Sequence, residues 1–168
     1  MKKHNLDLAK KYSEDDIENN INYFNKLDWQ LVTINQKLSE EFIEKHSSKL
    51  DWMYICVFQT LSEEFIEKHS GKVWWYGVSR YQKLSENFIE KYSDAVDWHN
   101  IFAFQQLSGP FVEKHSNKID WLYFAKSKSL SEELIKKYAH KIDFHHLLYN
   151  NNISKELKEE IKTLLEII

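Results

Sequence analysis

Nine residues, Leu61-Ser62-Glu63-Glu64-Phe65-Ile66-Glu67-Lys68-His69, recur along this chain at a fixed interval. Near-copies begin at Leu38, Leu84, Leu107 and Leu130, each 23 residues after the last, with no insertion or deletion from Leu38 to Asn152. A second signature keeps the same period: Asp51-Trp52, Trp74-Trp75, Asp97-Trp98, Asp120-Trp121 and Asp143-Phe144, with Asp28-Trp29 in register upstream. A unit this short is one supersecondary element that cannot bury its apolar face alone, so neighbours must stack on one another.

The unit starting at Leu38 stands for the others. Ser39 is a natural N-cap, and Glu40 and Glu41 put negative charge where the helix dipole favours it. Leu38, Phe42, Ile43, His46 and Leu50 fall on one face at helical spacing. Ser47-Ser48-Lys49 breaks the helix, and the same place holds Gly71, Asp94, Asn117 and His140, mostly turn formers. Asp51 then caps a second helix, whose inner face is Trp52, Ile55, Cys56 and Gln59. Pro110 lies in the first turn of its helix, where a missing N–H costs nothing. The apolar period is 3.6 and not 2, which excludes strands.

These features predict an all-α chain, an α-solenoid of 23-residue two-helix repeats with atypical capping units at both ends. It forms a single helical-repeat domain over 1–168: an N-terminal cap and first unit at 1–37, five regular repeats at 38–152, and a C-terminal capping helix at 153–168. In the first part, Asn5 is expected to cap a short helix through Lys11. Ser13 caps the next with Asp16 as capping-box partner, and Ile17, Ile21 and Phe24 form its stripe. In the last part the stripe is Ile153, Leu157, Ile161, Leu164 and Ile168.

The unit, with its L-S-E-x-F-I opening and its later D-W and Q, resembles a repeat of uncharacterised proteins of phages, giant viruses and some AT-rich bacteria. The likeness covers Leu38 to Asn152 and is weaker at both ends. It implies a helical repeat fold and a viral or mobile-element origin. With that origin, binding and inhibition of a host defence protein becomes the natural expectation. It implies no enzyme activity.

Chemistry is scarce. Cys56 is the only cysteine, so neither an intramolecular disulfide nor a cysteine-rich zinc site is available, and it reads as a small buried filler. His46, His69 and His115 share one repeat position with Tyr92 and Tyr138, which marks a flat ring at the core edge rather than a ligand. Stacked repeats about 8–10 Å apart cannot bring two such rings onto one ion. His145 and His146 are adjacent and diverge around a helix. The paired glutamates at Glu40, Glu63 and Glu132 recur, so they read as solvated first-turn charge and not as a catalytic pair. No phosphate loop, nucleophile elbow or metalloprotease motif occurs. The chain is therefore expected to be no enzyme and to use no cofactor or metal.

Partner binding is expected where the repeats differ. The second helix keeps its Trp, read as core rather than as a stacking platform for bases, and varies on its other face. The candidate contacts there are Tyr54, His99, Asn100, Tyr123, Lys126 and His145. The third unit departs furthest, because Trp74 replaces the capping Asp. Tyr76, Arg80 and Tyr81 stand close to it in sequence, and Trp, Tyr and Arg are favoured in interfaces. The leading expectation is a module that binds another protein. The alternative is an RNA or nucleotide binder, which the net charge of −3 disfavours. Self-association through Leu164-Leu165-Glu166-Ile167-Ile168 is a further option. The start lacks the apolar core of a signal peptide and no apolar run reaches membrane-spanning length, so a cytoplasmic setting without membrane contact is expected.

Overall fold

The structure is a computed structural model that describes residues 6–127 and 130–167; the side chains of Leu164 and Ile167 fall outside that description. Among the described residues the chain is helical throughout, with thirteen α-helices, two 3-10 helices and no strand. No helix among them is long and apolar enough to cross a membrane. The chain divides into two compact units, Met1–Gln82 and Lys83–Ile168.

The first unit holds α1 (Glu14–Glu18), a 3-10 turn (Ile21–Tyr23), α2 (Lys26–Asn35), α3 (Glu40–Lys45), α4 (Trp52–Phe58), α5 (Glu63–Lys68) and α6 (Trp75–Tyr81). Helix α4 packs on α2, and α6 packs on α4. Of the predicted inner faces, Phe42 and Ile43 of α3 and Ile55 and Cys56 of α4 are buried, as are Leu38, His46, Leu50 and Gln59, which flank the helices, whereas Trp52 is half-buried. Ser39 and Ser62 each accept a hydrogen bond from the backbone N–H three residues on, at 3.1 Å. Asp51 accepts from the Met53 N–H at 2.9 Å.

The start of this unit differs from the sequence expectation. Asn5 lies outside the described residues, and no helix forms from Leu6 to Tyr12. The segment spends its backbone groups elsewhere. Gln36 Nε2 donates to the carbonyls of Leu8 and Lys10, and Gln36 Oε1 accepts from the Tyr12 N–H. The Ser13 capping box is present. Helix α1 nonetheless stops at Glu18, because Asn20 Nδ2 donates to the Asp16 carbonyl at 3.0 Å and competes for it. Ile17 is buried, whereas Ile21 and Phe24 lie beyond the helix and only half-buried. Asp28 is not an N-cap like its later counterparts. Helix α2 begins early on Asn25, and Asp28 serves as the capping-box partner at its third position.

The second unit holds α7 (Glu86–Lys91), α8 (Trp98–Phe104), α9 (Gly109–Lys114), a 3-10 turn (Ser116–Lys118), α10 (Trp121–Phe124), α11 (Glu132–Tyr138), α12 (Phe144–Leu147) and α13 (Lys155–Ile167). The same residues build it. Ser85, Ser108 and Ser131 cap the first helix of each pair, and Asp97, Asp120 and Asp143 cap the second. Helix α10 packs on α8, where Phe102 meets Phe124 edge to face with ring centroids 5.6 Å apart. Ile153 and Ile161 are buried at the start and middle of the final helical segment. Ile168 and the side chains of Leu164 and Ile167, on which the predicted apolar stripe and the self-association reading depend, lie outside the described residues.

Two ladders bind one repeat to the next inside each unit. Gln59 Nε2 donates to the carbonyls of Thr33 and Gln36 while its Oε1 accepts from the Leu38 N–H. Gln82 repeats this on Cys56, Gln59 and Leu61. In the second unit Gln105 accepts from Leu84, and Asn150 donates to Ala125 and Ser127. The other ladder corrects a sequence reading. Glu40 is not simply solvated charge: its carboxylate accepts from the Ser62 N–H and hydroxyl. Glu86 does the same for Ser108, and Glu132 accepts from the Ser154 hydroxyl. Each of these glutamates therefore helps hold the cap of the next first helix.

Candidate functional site

The second helices turn their Trp inward and the residues after it outward. Trp52 stacks on Phe65 of the next first helix at 6.2 Å, and Trp98 on Phe111 at 6.3 Å. The indole N–H of Trp75 donates to Ser70 O and that of Trp98 to Ser93 O. Trp29 is buried, whereas Trp52, Trp75, Trp98 and Trp121 are half-buried and pack only part of each ring against the repeat interior, so the core reading holds in part. The next residue is exposed at Met53, Tyr76, His99 and Leu122, and at His145 after Phe144, whereas Gln30 after Trp29 is half-buried.

In the first unit the exposed face is aromatic. Tyr54 is half-buried and stacks on Phe58, with centroids 6.1 Å apart and planes 19° off parallel. Trp74, 39% exposed, stacks on Tyr76 at 4.9 Å. The Arg80 guanidinium lies 5.4 Å from the Tyr81 ring centroid, within cation–π range. Among the predicted contacts of this unit, the structure thus brings Trp74 together with Tyr76 and Arg80 together with Tyr81.

In the second unit the His99 ring meets Tyr123 edge-on at 4.5 Å, and both are exposed, as is Lys126. His145 is exposed with Nδ1 3.6 Å from Asp143 Oδ1. Asn100 does not belong to this surface. It is fully buried, because Asp97 Oδ1 accepts both its backbone N–H at 2.8 Å and its side-chain N–H at 3.0 Å. An amide two residues after the Trp can reinforce the cap, and there it points back into the helix start.

Sequence reasoning missed Phe58 and Phe104, exposed at 48% and 42%. They share their repeat position with Tyr81, exposed at 50%. Of this position only Tyr81 is among the expected contacts. The signal that could have found them is angular: Phe58 is one residue before the buried Gln59 and so stands about 100° away from it around the helix.

The histidine position is a packing ladder with an electrostatic edge. His46 lies against Trp29 and Phe42, His69 against Trp52 and Phe65, and His115 against Trp98 and Phe111. His46 Nε2 is 2.7 Å from Glu18, which also takes Lys45 at 2.7 Å. His115 and Lys114 share Glu90 in the same way at 2.6 Å. Those hydrogen bonds, the lysine's first, hold the Glu18 and Glu90 carboxyls below the usual glutamate range. His69 differs: Glu44 pairs with Lys68, and His69 Nε2 is buried without a partner. Burial lowers its pKa, with Glu44 opposing and Lys72 and Lys68 assisting.

Among the described residues no group of three or more His, Cys, Asp or Glu is placed to hold a metal ion. Cys56 is buried, and desolvation raises its thiol pKa against the opposing hydrogen bond from the Trp74 N–H. No protein-family model, curated protein or solved structure matches the chain.

Proposed function

We propose that the chain is an α-solenoid of 23-residue two-helix repeats and that it binds another protein through the outward face of its second helices, without catalysing a reaction. The solenoid reading draws support from the glutamine and glutamate ladders, which join neighbouring repeats inside each unit by similar bonds. One observation carries the binding reading: large aromatics stand open to water on short helices whose polar inner groups are already bonded. Phe58 and Tyr81 recur there at one repeat position, each about half exposed. Aromatic anchors on a rigid support lose little conformational freedom on binding. If the chain has the phage-type origin that the resemblance implies, occlusion of a host protein is the effect such a surface would have.

The test is retention of a protein from the source cell's extract on the immobilised chain. Three forms are compared: wild type, Tyr81→Ser, and Glu41→Gln on the exposed flank of α3. The expected outcome is one protein held by wild type and Glu41→Gln and lost with Tyr81→Ser. Equal retention by all three would remove the second-helix face from the reading. Retained RNA that elutes steeply with salt would favour the nucleic-acid alternative.

A further inference from the structure

The third repeat breaks the pattern at two positions, and the two breaks touch. Trp74 stands where Asp51, Asp97, Asp120 and Asp143 cap their helices. Gly77, three residues on, stands where the other copies carry Tyr54, Asn100, Tyr123 and His146. In the Asp97 copy these two positions are joined by hydrogen bonds between Asp97 and Asn100. In the Trp74 copy there is no side-chain cap bond, and the indole lies over Gly77 instead.

The fit is steric. A Cβ added to Gly77 would stand 2.8 Å from Trp74 Cε3 and 3.1 Å from Cys56 Cβ. Cys56 cannot give, so the partly exposed Trp74 ring is the group that an added methyl would displace. Cys56 is fully buried, its Sγ 3.4 Å from the Trp74 backbone N, and the Trp74 ring is already stacked on Tyr76. The requirement for glycine is not conformational, since no described residue has a positive φ. Gly71 and Gly109 meet nothing within 4 Å of an added Cβ, so Gly77 is the crowded one.

A lost cap and a glycine inside a helix both weaken the helix. Two unfavourable residues that fit each other hold a ring in one place. We propose that Gly77 is a positioning residue: with Cys56 it forms a seat that fixes Trp74 as a preset aromatic anchor on the outward face of α6. The proposal rests on the reading of that face as partner-binding. It adds that the third repeat exchanges helix stability for the fixed orientation of one ring, the stability-for-function exchange common at binding sites.

The test uses the full chain and two variants. Gly77→Ala fills the seat. Trp74→Asp/Gly77→Asn restores the pair found at Asp97 and Asn100. Chains labelled with 5-fluorotryptophan report the Trp74 resonance, assigned by its loss in Trp74→Phe. The expected result is a narrow Trp74 line in wild type that shifts or broadens in Gly77→Ala, and a melting temperature of the double variant at or above wild type. An unmoved Trp74 line would remove the seat. A double variant melting well below wild type would make Trp74 an ordinary core residue and overturn the proposal. Neither readout needs a partner, so both are independent of the capture experiment. There, a protein lost with Tyr81→Ser yet fully held by the double variant would keep the binding face and overturn the anchor role. Loss of that protein with both would support the anchor.

Discussion

Gln59 Nε2 donates to the backbone carbonyl of Gln36 at 2.9 Å, and those two glutamines occupy the same position in adjacent repeats. The bond is one of three made by a single buried amide, which also donates to Thr33 and accepts from the Leu38 N–H. The backbone ends of one second helix are thereby satisfied by the side chain of the next. Gln59→Ala leaves two carbonyls and one N–H buried without partners. The expected loss is roughly 3 kcal/mol or more at 1–3 per orphaned group. That lowers the melting temperature by about 6–12 °C, read by thermal denaturation. Gln59→Glu can keep the Leu38 bond and cannot donate to the carbonyls, so it should be no better than Ala.

Acid destabilisation should come in two stages. His69 is neutral in the fold and its pKa is lowered from the ordinary 6.5, chiefly by burial. The unfolded chain therefore binds a proton that the native chain refuses, and stability falls as pH drops from about 6.5 toward the folded pKa. The second stage belongs to carboxylates. Glu18, Glu44 and Glu90 all lie below the ordinary 4.5, through hydrogen bonds from Lys45, Lys68 and Lys114 first. Their stabilisation is present above that value and is lost as pH falls through the folded pKa. These groups are largely solvated, so the second stage is shallow. His69→Tyr, which copies Tyr92 and Tyr138, should abolish the first stage and leave the second, as measured by urea melts across pH 7.5 to 3.5, a window about one unit beyond the His and Glu reference values.

Asn100 and His99 are neighbours with opposite expected effects. Asn100→Ala removes one of the two N–H groups that hold the Asp97 cap and should cost about 1–2 kcal/mol. It should change partner retention only through stability. His99→Ala acts on an exposed ring and should stay within about 0.5 kcal/mol while weakening any contact made by the His99–Tyr123 pair. Denaturant melts run beside a binding measurement separate the two.

Phe58→Ser and Tyr81→Ser should leave stability within about 0.5 kcal/mol each, because both rings stand half in water. Their loss should remove exposed apolar surface, seen as weaker binding of a hydrophobic dye to the folded chain, and should lower partner retention. A drop in stability of several kcal/mol would show instead that these rings are part of the repeat's packing.

Much of this protein is legible in the sequence because its constraints are local. A serine or aspartate before a helix caps it through bonds that span two or three residues, and Ser39, Ser62, Asp51 and Asp143 do so. An apolar stripe at helical spacing must face other apolar groups, and Leu38, Phe42 and Ile43 are buried. The identity of a polar side chain's partner is a different matter. Gln59 reaches Gln36, and Glu40 reaches Ser62, across more than twenty residues, so only the packing of one repeat on the next selects those bonds. The outer face of the second helix was also decided there. Helical angle alone treats Asn100 and Tyr54 alike, yet Asn100 turns inward to a carboxylate and Tyr54 stacks on Phe58. Trp74 shows both sides. Its departure from the repeat is plain in the sequence, while only the fold puts its ring against Gly77 and its backbone N–H against Cys56.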